Sequence, residues 1–414
     1  DVERWYRLPM PGSIDLGFVE AKDRFLELLD ESVQLHLRSD VRVGSCLSGG
    51  LDSSSLVCLA ERQLRLIGKV DAFTTVTARF SEKEVDERRF ADSVTRHTGL
   101  AAAYVFPKPE DLIAQAEKLS WHQDEPFGST SIFAQYSVFQ EARHLGIKVM
   151  LDGQGADEQL AGYHWMFPYY YRQLLRSGDV VKLMQALIGR HRLHGVSLKG
   201  SLQSLALGTL PQIVVSTLSA NRRQFGQFSW LSSEFREPFA KRSPFFSALA
   251  HDGVKRIDGL GELCTAQIRS TNLPALLHYE DRCSMAHGIE ARVPFLDHRL
   301  VEFSTGLGGR HKMDGAETKS ILRAAMDGII PSDVQMRHDK LGFATPESRW
   351  MTGPLRQFVS DRLALAAERF PMIFDRRGLT QLASDVSTGR RVPDFTLWRI
   401  ASFGTWGDVF KVSA

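Results

Sequence analysis

The sequence predicts an α/β fold: a parallel sheet with flanking helices, carrying a helical insertion and a mostly helical C-terminal region. Three observations predict it. Short apolar runs rich in β-branched residues end in glycine-bearing turns, amphipathic helical stretches separate those runs, and Leu-rich aromatic segments without strand patterning follow. At 414 residues the chain has room for two or three domains. With 43% hydrophobic and 24% charged residues it is neither disordered nor fibrous. The 51 Lys+Arg nearly balance 49 Asp+Glu, which argues against a nucleic-acid binder relying on bulk attraction. No apolar run approaches the roughly 18–20 residues of a membrane span. The opening DVERWYRLPMP lacks the plan of a signal peptide, so a cytoplasmic, non-membrane protein is expected. The chain opens on Asp1 rather than Met, as a mature or cropped form of something longer would.

Residues 1–16, with Pro, Gly and Trp and no clear period, read as a lead-in. Phe18, Ala21, Phe25, Leu28, Leu29, Val33 and Leu37 then recur at steps of three and four and predict an amphipathic helix ending near Ser39. Residues 41–47 predict a strand; the SGGLDSS turn follows at 48–54, then helical SLVCLAERQLRLIG. DAFTTVTARF, EVDERRFADSVTRHTG and AAAYVFP repeat the strand–helix–strand step, and SIFAQYSVFQEARHLG predicts a helix before a strand at 148–151. Residues 17–164 thus form an α/β core. Residues 165–270 read as a helical insertion, in which the aromatics of 165–171 and the RHRLH stretch are better explained by helix packing than by a nucleic-acid surface. Residues 271–414 continue helical, with polar turns. Cys46, Cys58, Cys264 and Cys283 are too few and too scattered for a disulfide scaffold and read as buried free thiols.

The turn at 48–54 places Ser48, Gly49, Gly50, Asp52, Ser53 and Ser54 between a strand and a helix. Backbone N–H groups and hydroxyls there suit an anion, with the positive end of the helix behind them; a phosphate is the natural ligand. It is not a Walker A loop, because it lacks the lysine, and Asp52 approaches phosphate only with a cation between them, for which magnesium serves. A plain turn with Ser53 or Ser54 capping the helix is the structural alternative. A serine-nucleophile elbow fails, since Cys46 stands where its first glycine belongs.

DGQGADE at 152–158 is a second strand-end turn. A dinucleotide fingerprint fails there, with Glu158 in place of the third glycine. Gly153 and Gly155 permit close backbone approach, and Asp157 and Glu158 bring carboxylates to the strand end beside Asp52, so that Asp52 and Asp157 can share magnesium. Acids favoured by a helix dipole are the alternative reading. Histidine spacings match no zinc motif, and His287 and His298 read as structural. Asp281, Arg282, Ser284, Glu290 and Arg292 form a charged block beside apolar PFL that predicts a buried polar network.

SGGLDSS after an apolar strand resembles the pyrophosphate loop of the N-type ATP pyrophosphatases. LDGQGADEQLAGY, LPALLHYEDRCSMAHGIEARVPFLDHRLVEF and ETKSILRAAM followed by RHDKLGFATP resemble, in order, the blocks of the asparagine synthetase (glutamine-hydrolysing type) synthetase domain. The resemblance implies an adenine nucleotide alpha hydrolase-like fold and an enzyme that uses ATP and Mg2+ to adenylate a carboxylate, aspartate first among candidates, releasing pyrophosphate before ammonia or another amine takes the acyl group. It implies ATP contacts at Leu47, Ser48, Gly49, Gly50, Asp52, Ser53, Ser54, Val76 and Gly153, and magnesium at Asp52 and Asp157. It also implies a substrate side at Gln154 and Glu158 and an α-phosphate contact at Lys340. Lys319 and Arg323, four apart on a helix, would add positive charge, and Glu290 is the candidate for positioning the amine or substrate. Gln154 departs from the family, which often carries Glu there, and a glutamine cannot take a proton from an amine. The glutamine-dependent members carry an N-terminal glutaminase domain led by a cysteine, absent at Asp1, so such a domain or subunit lies outside this chain, or the amine arrives otherwise. A homodimer is compatible with the resemblance. An amide ligase or cyclase of natural-product assembly on the same fold, and a noncatalytic nucleotide-binding module, are the competing readings.

Overall fold

The computed structural model describes residues 5–210, 228–240, 244–251, 257–339 and 344–413. The lead-in is extended and tied down: Gly12 and Ile14 donate to the Gly306 carbonyl, and Ile14 bridges Leu307. α1 (Phe18–His36) buries Ala21, Phe25, Leu28, Leu29 and Val33, the stripe its spacing predicts. There follow β1 (Val43–Cys46), α2 (Leu51–Leu66), β2 (Thr74–Ala78), α3 (Arg88–Thr98), β3 (Ala101–Val105), α4 (Pro109–Gln123), α5 (Ser131–His144) and β4 (Val149–Leu151).

The main sheet is parallel throughout, in the order β3-β2-β1-β4-β5, with β5 at Glu290–Arg292. From β1 the chain steps outward through β2 to β3, then returns to the other side of β1 with β4. The order therefore reverses between β1 and β4, and a crevice opens beyond their carboxyl ends. Both glycine turns begin there. Apolar residues fill both faces, as a helix-covered parallel sheet requires. Val76 and Met150 pack with Phe133, Tyr136 and Phe139 on one face, and Leu47 and Leu151 pack with Phe25, Leu29 and Val57 on the other.

Three features differ from the sequence-based expectation. β5 comes from the stretch expected to be helical: its three residues, Glu290, Ala291 and Arg292, are too short to carry a period, and their pairing with β4 decides their state. α4 went unassigned between β3 and α5. A small antiparallel pair, Met313–Asp314 with Glu317–Thr318, was also unread. In addition, α2 begins at Leu51, so Asp52, Ser53 and Ser54 occupy its first turn rather than a loop before it.

Beyond α6 (Ala156–Leu160) come α7 (Phe167–Arg176), α8 (Val180–His194) and α9 (Leu198–Thr209). Phe167, Tyr170 and Tyr171 are buried in a third apolar cluster with Leu183, Leu187 and Leu263, so these aromatics serve as core. All four cysteines are buried and free. Among the described residues, no helix is long and apolar enough to cross a membrane.

Candidate active site

The first turn is shaped by contacts only glycine permits. Gly49 adopts φ +75°, and a Cβ there would lie 2.6 Å from both the Ala91 nitrogen and the Phe90 Cβ. Gly50 caps α2 in an extended conformation with no side-chain cap, and the helix N-terminus opens toward the crevice; the Ser54 N–H closes the first turn onto the Gly50 carbonyl. Ser48 and Ser53 are organised around this opening: their hydroxyls lie 3.1 Å apart, the Gly50 N–H donates to the Ser48 hydroxyl, and Ser53 donates to the Gly50 carbonyl. Leu47 is pinned to β2, its N–H donating to the Val76 carbonyl and its carbonyl accepting from the Thr77 hydroxyl. The Leu47 and Val76 side chains point into the core, and Ser54 is buried beneath the turn.

The second turn leans on the first. A Cβ at Gly153 would meet the Asp52 Cβ at 3.1 Å and the Ser53 nitrogen at 3.3 Å, so the two strand-end turns touch where this residue lacks a side chain. Gly155, at φ +91°, packs against Leu296, where a Cβ would fall 2.3 Å from Cδ2. Together these contacts bring Asp52 and Asp157 onto one cation. Lys319 Nζ lies 2.7 and 2.5 Å from the two Asp52 carboxylate oxygens and 2.7 Å from Asp157 Oδ1. Burial works against this ammonium, but the charges of Asp157 and Asp52 outweigh it and raise the Lys319 pKa. Two carboxylates converging on one positive atom, beside an anion cradle, are the donor set that a hard divalent cation requires, so these residues fit magnesium.

Two further cations complete this side. Arg337 donates to the Gly49 carbonyl, pairs with Glu87 at 2.6 Å and lies 4.2 Å over the Phe90 ring. Arg323 is held by the carbonyls of Thr318, Gln335 and Arg337. Both line a cavity of about 270 Å³ together with Ser48, Gly50, Asp52, Ser53, Gly153, Gln154, Asp157 and Lys319. Its other lining is chemically different: Ile132, Gln135 and Val138 come from α5, and Leu276 and Tyr279 from the helix Leu273–Met285, near Asp152 and Cys46.

Asp152 and Glu280 form a second acidic pair on that side. Burial pushes the Asp152 carboxyl up to about 6; the Cys46 thiol and the Gly153 N–H act against the rise, and the Asp52 charge adds to it. Glu280 is 2% exposed, with neither carboxylate oxygen in a hydrogen bond of good geometry. Burial first, then the Asp152 charge, lifts it well above the usual carboxylate range, while the nearby Gln154 side chain acts the other way. Glu158 is buried and accepts from Tyr163 (2.5 Å) and Asn272 (2.7 Å), which sets it behind Tyr163, itself a cavity residue.

One sequence candidate stands elsewhere. Glu290 is exposed at the first residue of β5, in register with Val149, and pairs with Arg292 away from the cavity. The cavity lies at the carboxyl edge of the sheet, and Glu290 starts its strand, so it does not line the cavity. The charged block around it is likewise no single buried network. Asp281 is exposed, Arg282 pairs with Asp124, and Arg292 donates to the carbonyls of His36 and Arg38. His287 is buried against the Tyr136 ring, and His298 is exposed. Lys340 lies outside the described residues.

A family model described as asparagine synthase matches residues 24–408. The chain belongs to the asparagine synthase family. Members of this family are ATP-dependent amide-forming enzymes. A putative glutamine-hydrolyzing asparagine synthetase of Mycobacterium bovis is 27% identical over 94% of this chain and 58% of that protein. Asparagine synthetase [glutamine-hydrolyzing] 1 of Bacillus subtilis is 24% identical over 92% of this chain and 58% of its own length. Amidase chry2 of Gibberella zeae is 25% identical over 82% of this chain and 54% of that protein. The chain thus spans a little over half the length of these curated relatives.

Sequence reasoning took Lys319 for a general source of positive charge and passed over Arg337 and Glu280. Glu280 had a signal: with Leu273, Leu276 and Cys283 it falls at helical steps of three and four, which places it on a buried face. Because its folded pKa is raised, folding at neutral pH works against that carboxyl's charge, and the cost disappears once the pH falls below the unfolded value of about 4.3. Glu280→Gln should therefore be more stable than wild type at pH 7 in urea denaturation. The gap should narrow as the pH falls and close near pH 4, where the unfolded chain's carboxyl is protonated as well.

Proposed function

We propose that this chain adenylates a carboxylic acid and transfers the acyl group to an amine, with aspartate as the acid and ammonia as the amine, giving asparagine, AMP and pyrophosphate in the cytoplasm. The observation that carries the reading is the junction of the two strand-end turns, where an uncapped helix N-terminus stands beside two carboxylates sharing one cation. Family membership supports the amide-forming class. The relatives' description as glutamine-hydrolyzing supports a glutaminase domain elsewhere in the parent protein as the ammonia source.

In this mechanism Ser48, Gly49, Gly50, Ser53 and the N-terminus of α2 cradle the outer phosphates, Gly153 lines the cavity beside them, and Leu47, Ser54 and Val76 support the cradle from the core. Asp52 and Asp157 would hold magnesium, which when bound would supply positive charge against the polyphosphate. Lys319, Arg323 and Arg337 supply positive charge on the same side, and Lys340 serves the α phosphate. A substrate carboxylate oxygen attacks the α phosphorus, the bond to the β-phosphate oxygen breaks, and pyrophosphate leaves. The acyl-adenylate is then attacked at its carbonyl carbon by the amine, and AMP departs. Gln154 and, through Tyr163, Glu158 orient the substrate. The amine's proton passes to Asp152, the carboxylate on the cavity surface, with Glu280 behind it holding the pair's shared proton.

One observation favours a second reading, a ligase or cyclase acting on a carboxylate carried by a larger apolar molecule. Ile132, Val138, Leu276 and Tyr279 give the cavity an apolar wall.

The primary test is aspartate-dependent exchange of labelled pyrophosphate into ATP. Wild type should exchange, and Asp52→Ala should lose at least about 100-fold; near-normal exchange in that variant contradicts the mechanism, and exchange driven by a bulkier acid but not by aspartate selects the second reading. Asp152→Asn should keep exchange within several-fold of wild type yet slow amide formation from ammonia by about 100-fold. In wild type the amide-forming rate, expressed per free-base ammonia, should fall as the pH drops through about 6, where Asp152 takes up its proton.

A further inference from the structure

Lys319 is placed unusually for a lysine. It stands just ahead of the short helix Ser320–Ala325 in the left-handed region, at φ 54° and ψ 36°, a conformation that side-chain-bearing residues seldom adopt. Its side chain is 6% exposed. Room for its end exists because residue 162 is glycine: a Cβ there would lie 2.4 Å from Lys319 Cε and 1.7 Å from Asp157 Oδ1. Strained backbone, a missing side chain opposite and burial all serve to set one ammonium between Asp52 and Asp157.

The other two cations of the cavity are held differently. Arg323 is tied to three backbone carbonyls, and Arg337 to the Gly49 carbonyl and Glu87. Lys319 is bound through the very carboxylates that fit magnesium. A divalent cation and an ammonium cannot both occupy the space between those oxygens. The ammonium is a univalent charge on a flexible four-carbon stem, so it can leave by side-chain rotation while the backbone stays in place.

We propose that Lys319 is a positioning residue that fills the cation position between Asp52 and Asp157 in the nucleotide-free protein and yields it only to a metal arriving with nucleotide phosphates. While in place it cancels the repulsion between the two carboxylates and keeps them converged. A bare divalent ion must displace it without itself bringing a partner for the ammonium. A metal–nucleotide complex brings phosphate oxygens with which the displaced ammonium can pair. The consequence is coupled entry, in which free metal is refused and metal with nucleotide is accepted. This inference rests on the nucleotide reading of the site, and its test separates the two.

The probe is Mn2+, followed by the paramagnetic resonance signal of the free ion, with and without the α,β-methylene analogue of ATP, which cannot be split between those phosphates. Wild type should bind Mn2+ weakly alone and strongly with the analogue. Lys319→Met should bind Mn2+ alone at least ten-fold more tightly than wild type, and Mn2+ should raise its melting temperature but not that of wild type. Lys319→Gln, which keeps a hydrogen-bond donor between the carboxylates, should show the same gain and covers a failure of the methionine variant to fold. Equal Mn2+ affinity in wild type and the neutral variants overturns the proposal. If the analogue recruits no Mn2+ to any of the proteins, the nucleotide reading is lost, while the comparison of free Mn2+ affinities still decides the role of Lys319.

Discussion

The structure depends on holding two like charges together at one end of a sheet. Asp52 sits on the first turn of a helix after β1, and Asp157 on a short helix after β4. Their carboxylates converge because the two turns touch through Gly153 and because Lys319 stands between them. Without a cation that arrangement would repel itself. Glycines at 49, 155 and 162 sit where a single methyl group would collide with a neighbour, and at 153 one would press on Asp52 and Ser53. The close approach is thus written into the backbone, and the charge arrangement follows from it.

The cavity divides chemically along the same line. On one side, Lys319, Arg323 and Arg337 surround an uncapped helix N-terminus, an environment that favours concentrated negative charge. On the other, α5 and the helix Leu273–Met285 present apolar side chains near a buried pair of carboxyls, an environment that favours a neutral or basic group. A reaction that gathers charge on a departing polyphosphate and draws a proton from an amine needs both environments within one small volume. The switch point of the sheet supplies that, because turns from adjacent strands and helices from both faces meet there.

Much of this was legible in the sequence where the signals are local. The runs ending at Leu47 and Leu151 read as strands because β-branched and apolar residues stop at glycine turns, and the stripe of α1 read as a helix from its spacing. The Glu290–Arg292 strand was not legible, since three residues carry no period and its partner lies over a hundred positions earlier. The same limit governs the site. Asp52 and Asp157 announce themselves by standing in glycine turns, whereas Lys319 looks like one of many helix-borne cations until folding brings it to them. Glu290 drew attention through its charged neighbours, but its place at the start of its strand sets it apart from the carboxyl edge. Glu280, one of a run of polar residues, is singled out by helical phase.

The central claim is that a nucleoside triphosphate bound at the Asp52–Asp157 junction is cut between its α and β phosphates. Phosphorus NMR of a turnover mixture containing the acid, the amine and Mg-ATP reads the bond directly. The account expects AMP and pyrophosphate to rise together in equal amounts with no orthophosphate preceding them. ADP and orthophosphate as the products would contradict it.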